Sequence, residues 1–157
     1  LVSDFLVKRD DLRQTWIAES STPEVEDGQA LLRVDRFGLT ANNVTYGVMG
    51  DGLSYWKFFP AEGGWGRIPV WGFAEVESSR AKGLDAGTRV YGYLPPSSHL
   101  LVTPGKADAT GFMDATPHRR ELPAVYNRYE ATAADRFYSA ETEDVQMLLR
   151  PLSSPRS

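Results

Sequence analysis

Three alternating runs, each bounded by glycine or proline, constrain the fold of this 157-residue chain more than any other feature. In residues 29–37 apolar and polar positions alternate with the period of a half-buried strand. Leu32 and Val34 are expected to face a core, and Gly38 ends the run. Residues 68–77 set Val70, Gly72, Ala74 and Val76 on one face and Trp71, Phe73, Glu75 and Glu77 on the other. The small residues of the first face imply close backbone packing. Turn chemistry at Lys82, Gly83, Asp85 and Gly87 leads into a third run, 88–94, and Pro95-Pro96 into a further strand at 98–103.

Around these runs the organisation is that of a mainly β domain with short helices. Residues 4–8 and 15–19 read as two early strands joined by a turn in the charged stretch 9–14. Residues 40–46, rich in Thr and Asn, read as a cap and a short helical turn. The glycine- and aromatic-rich stretch 50–66 shows no single period and reads as a long ordered loop. Past Pro104-Gly105 the strand-like alternation stops, and Pro117 and Pro123 allow only short helices. The expected division is a β-barrel domain at 1–107, an irregular or helical, peripheral extension at 108–150, and a tail or severed linker at 151–157.

A chain of this length buries one real core, not two full domains. Its 41% hydrophobic and 24% charged residues exclude a disordered chain. A net charge of −4 offers nothing to a nucleic-acid backbone or an anionic membrane surface, so neither is an expected partner. The chain has no cysteine, which removes disulfides and thiolate chemistry and fits a reducing, cytoplasmic setting. No apolar run has the length to span a bilayer. A homo-oligomer is left open.

Several catalytic signatures are missing. Gly63-Gly64-Trp65-Gly66 leads into Pro69 instead of opening a helix, so no dinucleotide-binding turn is encoded. His99 and His118 lie at no chelating spacing and read as structural or surface histidines. No serine occupies a nucleophile elbow, which leaves hydrolysis through His99 as a minor alternative. Glu75 and Glu77 share a strand face as an acid and base pair would, but a solvated face accounts for them equally well.

The order of Gly28-Gln-Ala-Leu-Leu-Arg-Val-Asp-Arg-Phe-Gly-Leu-Thr40, Ile68-Pro-Val-Trp-Gly-Phe-Ala-Glu-Val-Glu-Ser78 and Ala86-Gly-Thr-Arg-Val-Tyr-Gly92 resembles the medium-chain dehydrogenase/reductase superfamily. Ser97-Ser-His-Leu-Leu-Val102 is similar to the next strand of that family. The likeness covers residues 28–104, about half the chain, and the more particular strings at 38–51, 55–60 and 65–73 look like a poorly characterised bacterial branch. It implies a GroES-like, partly open β-barrel without its Rossmann domain. Thr40 stands where zinc-dependent members place their first cysteine ligand, and Val70 or Phe73 where they place histidine, so the closer comparison is to zinc-free quinone oxidoreductases. The resemblance then implies catalytic roles for Asn43 and Tyr46 and substrate contacts from Thr40, Asn42, Tyr55 and Trp56.

The resulting expectation is the substrate-side domain of a zinc-independent reductase of a small hydrophobic carbonyl, enone or quinone compound, inactive alone. A full-length enzyme would use NADP or NAD held by the missing Rossmann domain, whereas no cofactor is expected for this chain by itself. The alternative is a non-catalytic small-molecule-binding or protein-interaction barrel.

Overall fold

Strand formation follows the alternating runs. In a computed structural model that describes residues 1–52 and 54–153, the first hairpin is β1 (Val2–Lys8) and β2 (Asp11–Ser20). The turn between them is only two residues, shorter than the charged stretch implied. Then come β3 (Ala30–Gly38), α1 (Ala41–Val48), a 3₁₀ turn at Tyr55–Lys57, β4 (Trp65–Gly66), β5 (Val70–Ser79), β6 (Arg89–Leu94) and β7 (His99–Val102). The chain continues through β8 (Gly111–Met113) and β9 (Arg128–Ala131) to α2 (Glu143–Ser153).

Two antiparallel sheets result, a small one ordered β2-β1-β4 and a six-stranded one ordered β7-β3-β5-β6-β9-β8. The larger sheet curls until its two edges meet. Just past β7 and β8, Gly105 N–H donates to the Met113 carbonyl at 2.9 Å and Ala115 N–H to the Thr103 carbonyl at 2.8 Å. The fold is thus mainly β with a partly open barrel at its centre, as the alternating runs imply. Ser98 N–H donates to the Ser3 carbonyl and Phe5 N–H to the Pro96 carbonyl, which ties the small sheet to the rim of the large one.

The expected faces are kept. Leu32, Val70, Ala74 and Val76 fill the barrel with Val90, Leu94, Val102, Phe112 and Tyr129, and Val34 packs against them. On the outer face Phe73 and Tyr91 form a second cluster with Met147 of α2, against which Trp71 packs. Strand β3 carries a bulge between Val34 and Arg36. A Cβ on Gly72 would lie 2.0 Å from the Arg36 carbonyl oxygen, so the bulge needs glycine opposite it.

The segment after residue 107 corrects the sequence reading. It does hold short 3₁₀ turns, at Pro117–Arg119 and Ala124–Asn127 among others. It is not peripheral, because β8 and β9 complete the six-stranded sheet and Phe112 and Tyr129 are fully buried in the barrel. Strands of three and four residues are too short to show a period-two pattern. The tail expected from residue 151 is helical as far as Ser153, and its remainder, 154–157, lies outside the described residues. Among the described residues no helix is long and apolar enough to cross a membrane.

Candidate functional site

Strand β3 runs out at Gly38 and α1 begins at Ala41, which puts Thr40 at the N-cap in an extended conformation. The Thr40 backbone N–H donates to Asn43 Oδ1 at 2.6 Å, and Asn43 Nδ2 donates to the Pro69 carbonyl at 3.0 Å. Asn43 is buried. Both ends of its amide are therefore engaged in holding the start of α1 against the approach to β5, a positioning task.

Thr40, Asn42, Asn43 and Tyr46 line one cavity of about 220 Å³. Its other walls are Gly38, Trp71 from β5, and Met147 and Leu148 from α2. Helical spacing explains the local grouping, since Asn42, Asn43 and Tyr46 fall within little more than one turn of α1. Tyr46 is half-buried. Burial pushes its hydroxyl above the ordinary phenol range, a hydrogen bond from the Trp71 indole opposes this, and Tyr55 adds to the rise. The phenol therefore stays protonated at neutral pH and keeps a hydrogen to donate.

Tyr55 and Trp56 are placed differently from the sequence expectation. Neither lines this cavity. Tyr55 backs it from behind, its ring 4.6 Å from that of Tyr46 and within an aromatic layer that continues through Phe58, Tyr93 and Tyr126. Trp56 is a core plug, 5% exposed. A Cβ at Gly50 would come within 2.2 Å of its indole and one at Gly66 within 2.4 Å, so the ring is clasped between two glycines. Those glycines flank the aromatic stretch in sequence and were the available signal that Trp56 packs inward. Trp71 was legible as an outer-face residue of β5 but not as a cavity wall. Met147 and Leu148 reach the cavity only because α2 folds back over β3 and β5, which no local pattern announces.

A larger cavity of about 380 Å³ lies elsewhere, between the small sheet and the outer side of β3 and β7, floored by Leu31, Leu101, Phe58 and Phe59. Its charged walls are satisfied. Arg67 grips Asp4 at 2.9 and 3.0 Å, the Ser97 hydroxyl donates to the same carboxylate, and Arg119 meets Asp114 at 3.0 Å. His99 contacts Ser98 Oγ at 2.8 Å through Nδ1 and faces Glu77 at 3.4 Å through Nε2. Ser98 Oγ also accepts from the Ser3 N–H at 2.9 Å, so this chain of contacts sutures β1 to the sheet. His118 Nε2 lies 3.1 Å from the Phe58 carbonyl. Glu75 faces Arg33 at 3.8 Å, so the two carboxylates of β5 have separate partners. Among the described residues no group of three His, Cys, Asp or Glu side chains is placed to hold a metal ion.

A family described as protein of unknown function (DUF2855) matches residues 37–154, a span that contains every wall of the smaller cavity. No curated protein matches the chain.

Proposed function

The chain belongs to the DUF2855 family, whose description assigns no activity, and from the geometry of the Thr40, Asn42 and Tyr46 cavity we propose that it is the substrate-side domain of a zinc-independent, nicotinamide-dependent reductase of a small carbonyl, enone or quinone compound. The observation that carries this reading is the convergence of a protonated phenol, an exposed amide and a hydroxyl on one cavity with a flat indole wall. The resemblance to the medium-chain dehydrogenase/reductase superfamily supports the same assignment, as does the cysteine-free composition for a cytoplasmic setting.

In this reading Trp71 stacks against the planar substrate. Tyr46 donates its hydroxyl hydrogen to the carbonyl oxygen, where negative charge gathers as the carbonyl is reduced, and Asn42 and Thr40 fix the orientation. Asn43 acts through α1 by holding Thr40 and Tyr46 in place. In this reading the dinucleotide is held outside the described residues, among which no strand, glycine-rich turn and helix follow one another. At the positions where zinc-dependent members of the resembled superfamily place a cysteine and a histidine, Thr40 and either Val70 or Phe73 lack a sulfur and an imidazole, which favours the zinc-independent branch.

Titration with menadione, followed by tryptophan fluorescence, tests the site without the cofactor. Saturable quenching is expected, and Trp71→Phe should abolish most of it. Tyr46→Phe should weaken binding by about fivefold, the worth of one hydrogen bond of roughly 1 kcal/mol. Quenching that survives in Trp71→Phe and is indifferent to Tyr46→Phe would instead place the ligand elsewhere. That outcome would favour a non-catalytic binding barrel, a reading to which the larger, apolar-floored cavity lends its one supporting observation.

A further inference from the structure

We propose that the larger cavity, between the small sheet and the outer side of β3 and β7, is a second small-molecule site, and that it takes an uncharged aromatic compound carrying a hydroxyl group. Its volume of about 380 Å³ is that of a ligand pocket. It shares no lining residue with the Thr40 and Tyr46 cavity, so either can be filled without the other. Ser20, Ser21 and Pro23, all exposed, form a lip through which a ligand enters from solvent. The floor of Leu31, Leu101, Phe58 and Phe59 is apolar, and against its two rings an aromatic ligand gains more than its buried area alone supplies.

The charges of the walls select a neutral ligand. Arg67 donates from Nε and Nη2 to Asp4 and from Nη1 to the Pro60 carbonyl, and the Ser97 hydroxyl adds a third hydrogen bond to the same carboxylate. Arg119 donates to Asp114, Asn127, Tyr126 and Tyr129. Each cation is thus matched by a carboxylate before any ligand arrives. An anion would have to displace Asp4 or Asp114, a cation Arg67 or Arg119, and either exchange strands a largely buried charge. A neutral molecule disturbs neither pair. The hydroxyl is called for by His118, which lines the cavity with Nε2 3.1 Å from the Phe58 carbonyl. A carbonyl only accepts, so Nε2 carries the hydrogen, and in the neutral imidazole Nδ1 is then an acceptor. Nothing donates to that nitrogen among the described residues. The other imidazole, His99, has Nδ1 on Ser98 Oγ and Nε2 facing Glu77, which leaves His118 to receive the ligand's hydroxyl.

Titration calorimetry of the full chain at about pH 8, where imidazoles are mostly neutral, tests this with three probes built on one ring system: 2-naphthol, its methyl ether and 2-naphthoate. The naphthol is expected to bind at least about tenfold more tightly than the naphthoate and about fivefold more tightly than the ether, which has no hydrogen to donate. In His118→Phe the naphthol and the ether should bind alike, a result that a packing role for the ring would not give. Leu101→Trp, which fills the floor, should abolish binding, whereas Asn42→Trp, which crowds the smaller cavity instead, should leave it unchanged. Far-ultraviolet circular dichroism checks that Leu101→Trp folds, and the exposed position of His118 keeps its variant informative if it does not. Failure of 2-naphthol to bind overturns the proposal, as does equal affinity for the naphthoate. A preference for the naphthol over the ether that survives in His118→Phe, or binding that Asn42→Trp removes and Leu101→Trp does not, overturns it as well.

Discussion

Arg119 is the residue on which most of the polar interior turns. It is 1% exposed, as is the side chain of its partner Asp114, and its guanidinium donates to Asp114, to Asn127 Oδ1, to the Tyr129 hydroxyl and to the Tyr126 carbonyl. Asp114 in turn accepts from the Thr103 and Thr116 backbones, at the point where the sheet's edges meet. A buried pair is held at little net gain, but removing one member strands the other without water. Arg119→Met and Asp114→Asn are each expected to cost about 3–5 kcal/mol in urea unfolding; a loss below about 1 kcal/mol would mean that the site admits water. Nothing in the sequence marked Arg119, because it sits beside His118 and Arg120 in a run that reads as surface. Asn43 shows the converse: its place in a capping turn was legible, and the structure adds that its amide is already engaged.

At the scale of elements, α2 is the least self-evident piece. Its docking rests on Glu143, 3% exposed, which receives two hydrogen bonds from Arg89 at 2.6 and 2.7 Å and one from the Tyr138 hydroxyl. Arg89 holds the Glu143 carboxyl below its ordinary value of 4.5, burial opposing it and Tyr138 and Arg36 assisting. A depressed carboxylate stabilises the fold above its unfolded value and loses that contribution as pH falls through the folded one. Amides of α2 should therefore lose hydrogen-exchange protection below about pH 4.5, ahead of the barrel strands, and the cavity that Met147 helps to wall should open with them. Loss of protection in α2 and barrel together would show that Glu143 is not what holds the helix. The long strands β3 and β5 were legible because ten or so residues suffice to display alternation. Strands β8 and β9 were not, since their few residues are strands only by virtue of the edge they meet.

For the whole molecule, closure of the large sheet is the decisive event. β6 would be an edge without β9, and β7 would lose the contacts near Gly105 and Thr103 that join it to β8. The domain division that the sequence implies, with a barrel ending at 107, would leave those edges open and remove Phe112 and Tyr129 from the core. A chain cut after residue 107 is expected to lack a cooperative thermal transition and to aggregate through the exposed strands. A sharp transition from that fragment would show the barrel to be complete without β8 and β9.

Local pattern was enough for the mainly β class, the faces of β3 and β5, the cap at Thr40 and the grouping of Asn42, Asn43 and Tyr46 on one turn, because each of these depends on neighbours a few positions apart. Closing the barrel, burying Arg119, clasping Trp56 between Gly50 and Gly66 and bringing Met147 over Trp71 join residues that lie far apart in the chain or in stretches without a period. Those were decided only by tertiary packing, which chooses among the many partners that a buried ring or an unpaired strand edge could take by the space and hydrogen bonds left once the rest of the chain is in place.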